Sequence, residues 1–510
     1  MSVDIQSPSL CIGIVGTGAM GRGIAQIAAQ AGIRVLLFDA LHGAATNARE
    51  TVTGTLGKLA DKGKISAEAL TAASAKLEVV ARLEEMASAQ VIIEAIVENL
   101  DVKKTLFQQL EDIIAADCIL ATNTSSLSVT SIAAACKRPE RVGGFHFFTP
   151  VPLMKIVEVI DGLLTAPVVS DALLALGRRM GHTAVRAKDT PGFIVNHAGR
   201  GFVTEALRIL GEGVCDFPAI DRIMREAAGF RMGPFELLDL TGLDVSQPVM
   251  ESIYHQYYQE PRYRPSALAA QRLTGGLLGR KTGRGFYSYA NGSAAPMPEP
   301  TAPTALPASV WVSQAAPDWA QAMREIAAKA GVTVESGPTP STGALCIVTP
   351  LGTDATSAST TQGLDPARTV AVDCLLGAGG TARRTLMTTP LTSPAMRDSA
   401  HALFVADGSA VSVIRDSAGF VAQRILACIV NIGCDIAQQR VAAPADIDRA
   451  VTLGLGYPKG PLAFGDALGA TKVLRILEAM QDFYGDPRYR PSPWLKRRAL
   501  LGISLLTDET

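Results

Sequence analysis

Through the first 190 residues, short apolar runs alternate with longer amphipathic or alanine-rich stretches, the order of strand and helix that builds a parallel sheet. Residues 10–15 form one such run, and an alanine-rich segment reaching Gln30 follows after a glycine-rich turn. Residues 34–38 form a second run, ending on Asp39. Residues 91–97, 118–121 and 142–148 fit further strands of the same sheet. The segments 141–149 and 154–160 read as two strands joined by a turn that holds Pro150 and Pro152. In the second of them Ile156 and Ile160 share a face with Glu158, while Val157 and Val159 take the other. A strand apolar on both faces is a buried one. Glu158 is therefore expected to lie away from water, where a carboxylate needs a partner. His146, twelve residues earlier, can be that partner, and an imidazole–carboxylate pair serves as a general base near neutral pH. Taken alone, the same residues also fit a solvated edge strand and an ordinary core histidine.

The turn after the first run reads Gly16-Thr17-Gly18-Ala19-Met20-Gly21. In a dinucleotide-binding βαβ unit the first glycine permits the tight turn, the second lets the backbone approach the pyrophosphate, and the third lets helix and strand pack closely. The unpaired N–H groups at the start of the helix then face the phosphates. Asp39 stands 18 residues after Gly21, where an acid takes the ribose hydroxyls and repels a 2′-phosphate, which favours NAD over NADP.

Several stretches carry a family likeness. They are the glycine turn, Glu94-Ala95-Ile96-Val97-Glu98-Asn99, Asn123-Thr124-Ser125-Ser126-Leu127, His146-Phe147-Phe148-Thr149-Pro150, residues 155–160, residues 189–196 and residues 279–287. With them the chain resembles the short-chain (S)-3-hydroxyacyl-CoA dehydrogenases, in particular the long bacterial 3-hydroxybutyryl-CoA or 3-hydroxyadipyl-CoA type. The likeness is close over residues 10–290 and looser beyond. It implies NAD-dependent, reversible oxidation of an acyl-CoA substrate, with His146 as base and Glu158 orienting it. It also implies that Ser125 and Asn196 hydrogen-bond the reacting oxygen, and that Glu98, Lys103 and Asn123 line the cofactor beside Gly16, Gly18, Ala19, Met20, Gly21 and Asp39. Lys62 falls where the family sets a lysine against coenzyme A. Read without the likeness, Ser125 also fits a helix cap and Lys62 a solvated surface charge. One position departs from the pattern: Thr149 stands where the family has Asn, with one donor in place of two.

Five hundred and ten residues exceed what one such unit needs. The segment 291–308, rich in Pro, Ala and Thr, has a linker composition. Beyond it an internal repeat appears at an offset of 227: Asp189-Thr190-Pro191-Gly192-Phe193 returns as Asp416-Ser417-Ala418-Gly419-Phe420, and Ile220-Asp221-Arg222 as Ile447-Asp448-Arg449. That offset carries His146 to Asp373, Glu158 to Thr385 and Asn196 to Gln423, and no glycine fingerprint follows Val310. The expected architecture is an α/β Rossmann dinucleotide-binding domain (1–188) and an all-α domain (189–290). After the linker (291–308) comes a degenerate copy of both, at 309–415 and 416–510. In this reading the second copy is catalytically inactive, and the two all-α domains form an internal pseudo-dimer, with further homo-oligomers open.

Composition narrows the remaining classes. A net charge of −1 with both signs interspersed gives no electrostatic case for nucleic acid or a membrane surface. No apolar run reaches a membrane span's length. Residues 1–9 hold Asp4 and no Arg or Lys, unlike a signal or transit peptide. The 8 cysteines lack metal-ligand spacing, so no metal is expected, and they suit a reduced, cytoplasmic protein. Two other classes fit less well. A different two-domain NAD-dependent hydroxy-acid dehydrogenase would place its catalytic lysine or cysteine in the helical domain, and a non-catalytic binding protein would have lost the His, Glu and glycines together.

Overall fold

The computed structural model describes residues 3–377 and 382–509. Eight strands form the first sheet: β1 (Cys11–Val15), β2 (Arg34–Phe38), β3 (Leu77–Val79), β4 (Val91–Glu94), β5 (Ile119–Thr122), β6 (Val142–Phe147), β7 (Ile156–Asp161) and β8 (Thr183–Lys188). Their order is β3-β2-β1-β4-β5-β6-β7-β8. Neighbours are parallel except β6 and β7, which pair antiparallel with His146 opposite Glu158. From β1 the chain builds outward through β2 to β3 and then crosses back to β4 on the other side of β1, and ligands of open α/β sheets bind at the strand ends beside such a reversal. The central strands are buried on both faces, which is why they read as unbroken apolar runs. β4 stops at Glu94 instead of reaching Val97, because the Glu94 carboxylate accepts the Ile96 amide and turns the chain.

By its contacts the chain forms two compact units that do not follow linear order: residues 1–197 with 439–455, and residues 198–438 with 456–510. In the first, residues 189–197 belong with the sheet, since Phe193 lies in its core. The helix Pro444–Leu455 of the same unit packs on β7 and β8. The Lys188 amide also donates to the Val441 carbonyl at 2.8 Å.

The second unit opens with helices and a small hairpin, β9 (Tyr289–Ala290) and β10 (Ser293–Ala294). Asn291 and Gly292 make its turn with φ of 52° and 79°, so the linker expected from residue 291 begins beyond a tight Asn-Gly hairpin. A second sheet follows: β11 (Ser309–Val312), β12 (Thr333–Val334), β13 (Leu345–Val348), β14 (Thr369–Val372), β15 (Arg383–Thr388) and β16 (Ala410–Ile414), in the order β12-β11-β13-β14-β15-β16. Its one antiparallel pair is β14 with β15. Between β12 and β13 the chain forms no helix, whereas the passage from β2 to β4 holds two α-helices, β3 and a short 3-10 helix.

In this unit the helix Arg200–Gly211 packs against the helix Ala422–Gln438, most of whose residues are buried. Gly201 allows the close approach, because a Cβ there would lie 2.8 Å from the Ile429 Cα. Glu205, fully surrounded, accepts from Arg424 at 2.6 Å and from the Tyr489 hydroxyl at 2.8 Å, with Arg488 3.4 Å away. Among the described residues no helix is long and apolar enough to cross a membrane.

Candidate active site

At the end of β1 the chain turns through Gly16, whose φ of 95° is left-handed and whose added Cβ would lie 2.6 Å from the Ala95 carbonyl oxygen. A Cβ on Gly21 would strike the Gly16 carbonyl oxygen at 1.9 Å. Gly18 differs: nothing lies within 4 Å of its Cβ position, so the backbone there is open to a ligand. Gly18 caps the helix Ala19–Gln30 without a side-chain hydrogen bond, which leaves the first amides for an anion. Met20, in the first turn of that helix, accepts the Thr149 hydroxyl on its sulfur at 2.8 Å. Asp39 accepts the Thr17 amide and hydroxyl at 2.7 and 2.8 Å and the Leu41 amide at 3.0 Å. Burial alone would raise its carboxyl; these donors outweigh that and hold it below its ordinary value. A cleft of about 1120 Å³, lined by Gly16, Gly18, Phe38, Asp39, Ile96 and Val97, opens at this point. The cradle fits a dinucleotide whose ribose meets an acid.

The loop after β5 is fixed from below by a buried ionic relay. Glu94 and Lys103 are both out of water and pair at 2.5 Å, and the Thr122 hydroxyl donates to the other Glu94 oxygen at 2.7 Å. Lys103 also reaches Glu98 at 3.3 Å. Glu98 in turn accepts from the Thr124 hydroxyl at 2.6 Å and from the amides of Ser125 and Ser126 at 3.0 Å each. Burial would raise the Glu98 carboxyl, but the Lys103 charge and these donors hold it below its ordinary value. Lys103 thus lies beneath the loop as a support. Asn123 accepts the Phe147 amide at 2.9 Å, which ties this loop to the strand that carries His146. Ser125 does not cap the next helix, Val129–Ala133; Ser128 does, with its hydroxyl on the Ser131 amide.

His146 and Glu158 face each other across β6 and β7, with Nδ1 and Oε2 2.7 Å apart. The second carboxylate oxygen accepts two successive amides, Ile194 and Val195, at 2.9 Å each. Those amides converge because Gly192 and Phe193 turn through φ of 78° and 47°. A left-handed phenylalanine costs about 1 to 3 kcal/mol and persists only where its surroundings fix it. With Nδ1–H directed at the carboxylate, Nε2 is the nitrogen left for proton transfer. Asn196 follows the two amides directly, on the short helix Val195–Ala198. Lys62 is exposed just past the helix Ala44–Asp61, and the hydrogen-bond networks of the dyad and the loop do not extend to it. Glu94, Thr122 and the amide pair are site components that residue-by-residue reading missed. For the amide pair the only signal was the Pro-Gly in residues 189–193, which marks a special turn.

Comparison with known proteins agrees with this geometry. The sequence pattern of the 3-hydroxyacyl-CoA dehydrogenase NAD binding domain matches residues 11–190. That of the 3-hydroxyacyl-CoA dehydrogenase C-terminal domain matches twice, at 192–289 and 419–503. The chain is 37% identical over 509 residues to the 3-hydroxyadipyl-CoA dehydrogenase of Escherichia coli K12, covering 98% of this chain and 99% of that protein. It is 41% identical over 276 residues to the probable 3-hydroxybutyryl-CoA dehydrogenase of Bacillus subtilis, 54% of this chain and 96% of that one. The crystal structure of 3-hydroxybutyryl-CoA dehydrogenase from Escherichia coli K12 superposes with a TM-score of 0.84 at 34% identity, over 97% of this chain and 98% of that one. The buried His–Glu pair beside a dinucleotide cradle is thus set in a chain that belongs, over nearly its whole length, to the 3-hydroxyacyl-CoA dehydrogenase family.

Proposed function

We propose that this chain oxidises an (S)-3-hydroxyacyl-CoA of the 3-hydroxybutyryl or 3-hydroxyadipyl type to the 3-ketoacyl-CoA, reversibly and with NAD. The observation that carries this reading is the carboxylate of Glu158, held at both oxygens and aimed at His146 Nδ1. His146 Nε2 takes the proton of the substrate's 3-hydroxyl, and Glu158 stabilises the imidazolium that forms while keeping the ring in one tautomer. Gly16, Gly18 and Gly21 would hold the pyrophosphate of NAD and Asp39 its ribose, and the bound cofactor would supply the acceptor for the hydride leaving C3. Ser125 and Asn196 hydrogen-bond the reacting oxygen, and Lys62 meets the coenzyme A moiety. Glu98 and Asn123 line the cofactor and hold the Ser125 loop at one setting. In the reverse direction the imidazolium returns its proton to the nascent hydroxyl.

The second half supports a reading as a faded, inactive copy. Asp373 and Thr385 occupy the facing positions of the dyad, joined backbone to backbone at 3.0 Å. Gln423, at the register of Asn196, donates to Asp373 at 3.0 Å and accepts the Gly352 amide at 2.8 Å, so the polar groups satisfy one another. Burial pushes the Asp373 carboxyl up. The helices Arg200–Gly211 and Ala422–Gln438 would then cover each other's apolar faces as an internal pseudo-dimer, tethered within one chain.

The test is NADH formation from NAD with (S)-3-hydroxybutyryl-CoA and with 3-hydroxyadipyl-CoA, comparing the native chain with His146→Gln. Turnover of at least one substrate, lost by about a thousandfold or more in the variant, is the expected result. No turnover of either, or an active variant, sinks the proposal.

A further inference from the structure

The amide pair that grips Glu158 is itself held from behind. Val195, whose amide donates to Glu158 Oε1, is 1% exposed. Its side chain meets Gly454, on the helix Pro444–Leu455. A Cβ added at Gly454 would lie 2.9 Å from Val195 Cγ1 and 3.0 Å from Cγ2, closer than side chains approach without something moving. The same helix packs on β7, the strand that bears Glu158, and the segment leading to it is pinned by the Lys188 amide on the Val441 carbonyl. Sheet, amide pair and helix lie in one compact unit. The carboxylate is thus set by its own strand and by two amides whose seat is a helix contributed from the second half of the sequence.

The other half provides an internal control. The offset of 227 that relates β7 to β15 turns the Lys188–Val441 bond into Arg415 N–H to the Val214 carbonyl, and that bond is present at 2.9 Å. The left-handed turn recurs as well, with Gly419 and Phe420 at φ of 81° and 50°. What changes is the contact behind it. Val195 becomes Ala422 and Gly454 becomes Ala227, and the Ala422 helix packs against the turn that holds Ala227. Where the two amides have a catalytic carboxylate to hold, a β-branched side chain rests against bare backbone; where Thr385 replaces that carboxylate, alanines stand at both corresponding positions. A valine has one strongly preferred rotamer, so a close-fitting seat for it fixes the backbone, amide included, within a few tenths of an ångström.

We infer that the helix Pro444–Leu455, supplied by the half without a dyad, is a positioning element of the catalytic centre, and that Gly454 is its positioning residue, seating Val195 so that the amides of Ile194 and Val195 hold Glu158 in line with His146. The second half is then a working part of the active enzyme as well as a cover for an apolar face. This rests on the dyad being the catalytic base system.

The experiment compares the full-length native chain with Gly454→Ala and with Val195→Ala/Gly454→Ala, the pair of side chains found at the corresponding place in the other half. Gly454→Ala displaces Val195 and its amide, and a misplacement of that size lowers kcat on the order of 10- to 100-fold while the KM values hold steady. The deuterium isotope effect at substrate C3 rises, because the chemical step becomes slower relative to release. NADH affinity does not change, since the cradle lies elsewhere on the sheet. The double variant, with room restored, recovers most of the lost kcat. Native kcat in Gly454→Ala overturns the inference. So does a loss that tracks only the folded fraction with an unchanged isotope effect, or a double variant no better than the single one. Should the native chain turn over no 3-hydroxyacyl-CoA, the functional reading fails, and the inference is judged on the low-field proton signal of His146 Nδ1. That signal should move in Gly454→Ala and return in the double variant, and a signal unmoved in the single variant rejects the inference.

Discussion

Glu158 makes three hydrogen bonds and is fully buried, so charge and geometry at this one residue can be separated by substitution. In Glu158→Gln the amide oxygen still accepts from Ile194 and Val195, and its NH₂ faces His146 Nδ1. Nδ1 must then accept, the proton moves to Nε2, and the ring presents the wrong tautomer to the substrate. We expect a kcat loss of about 10³- to 10⁴-fold, the effect of an amide behind a catalytic histidine, with the thermal midpoint nearly unchanged; steady-state kinetics beside a melting curve check it. Activity within about tenfold of native would assign Glu158 a packing role. The burial of Glu158 was legible because Ile156, Val157, Val159 and Ile160 leave no polar face around it. Lys103 was legible as a buried residue too. It shares a helical stripe with Leu106, Phe107 and Leu110, a spacing that points inward, to where Glu94 awaits it. The amide pair was not legible, since no periodicity announces a left-handed phenylalanine.

Pairing between elements is carried by few side chains, and Glu205 shows how. It sits on the helix Arg200–Gly211 and takes its charge partners from Arg424, on the facing helix, and Arg488. Burial alone would raise its carboxyl; Arg424 and Arg488 instead hold it below the ordinary 4.5. A depressed folded value contributes stability that is present above the unfolded value and is lost as pH falls through the folded one. Glu205→Gln takes the carboxylate from the buried Arg488 and leaves Arg424 with Glu212 alone, which costs about 3 to 5 kcal/mol near pH 7. In urea unfolding series the gap between native and variant should begin to narrow once pH falls below the unfolded carboxyl's ordinary value and close only at the lower pH where the folded carboxyl takes its proton. A gap that stays constant with pH would mean the carboxylate charge is not what holds the helices. Strand ends were less predictable than strand centres: β3 and β8 lack enough apolar positions to stand out, and β4 ends where a side chain, Glu94, caps it.

At the scale of the whole molecule the recurring segments were visible in sequence because helices and turns retain their spacing, as Asp189–Phe193 and Asp416–Phe420 do. The absence of a glycine fingerprint after Val310 was legible as well, and the second sheet adds detail to it. Among the described residues the second sheet has six strands where the first has eight. The turn after β11 runs Ser313-Gln314-Ala315-Ala316 into the helix Pro317–Lys329, so it has no glycine to let the backbone approach a pyrophosphate, and Pro317 removes one of the amides. An acid does follow β12, as Asp39 follows β2, yet Glu335 gives its oxygens to Ser309 and Ser341. The first cradle instead leaves Gly18 open and its helix amides uncapped. Calorimetric titration should therefore find one NADH per chain, with Gly18→Val removing that single event, because a branched side chain would fill the space the phosphates need. Two equivalents per chain, or one that survives Gly18→Val, would place cofactor binding in the second sheet and end its description as an inactive copy.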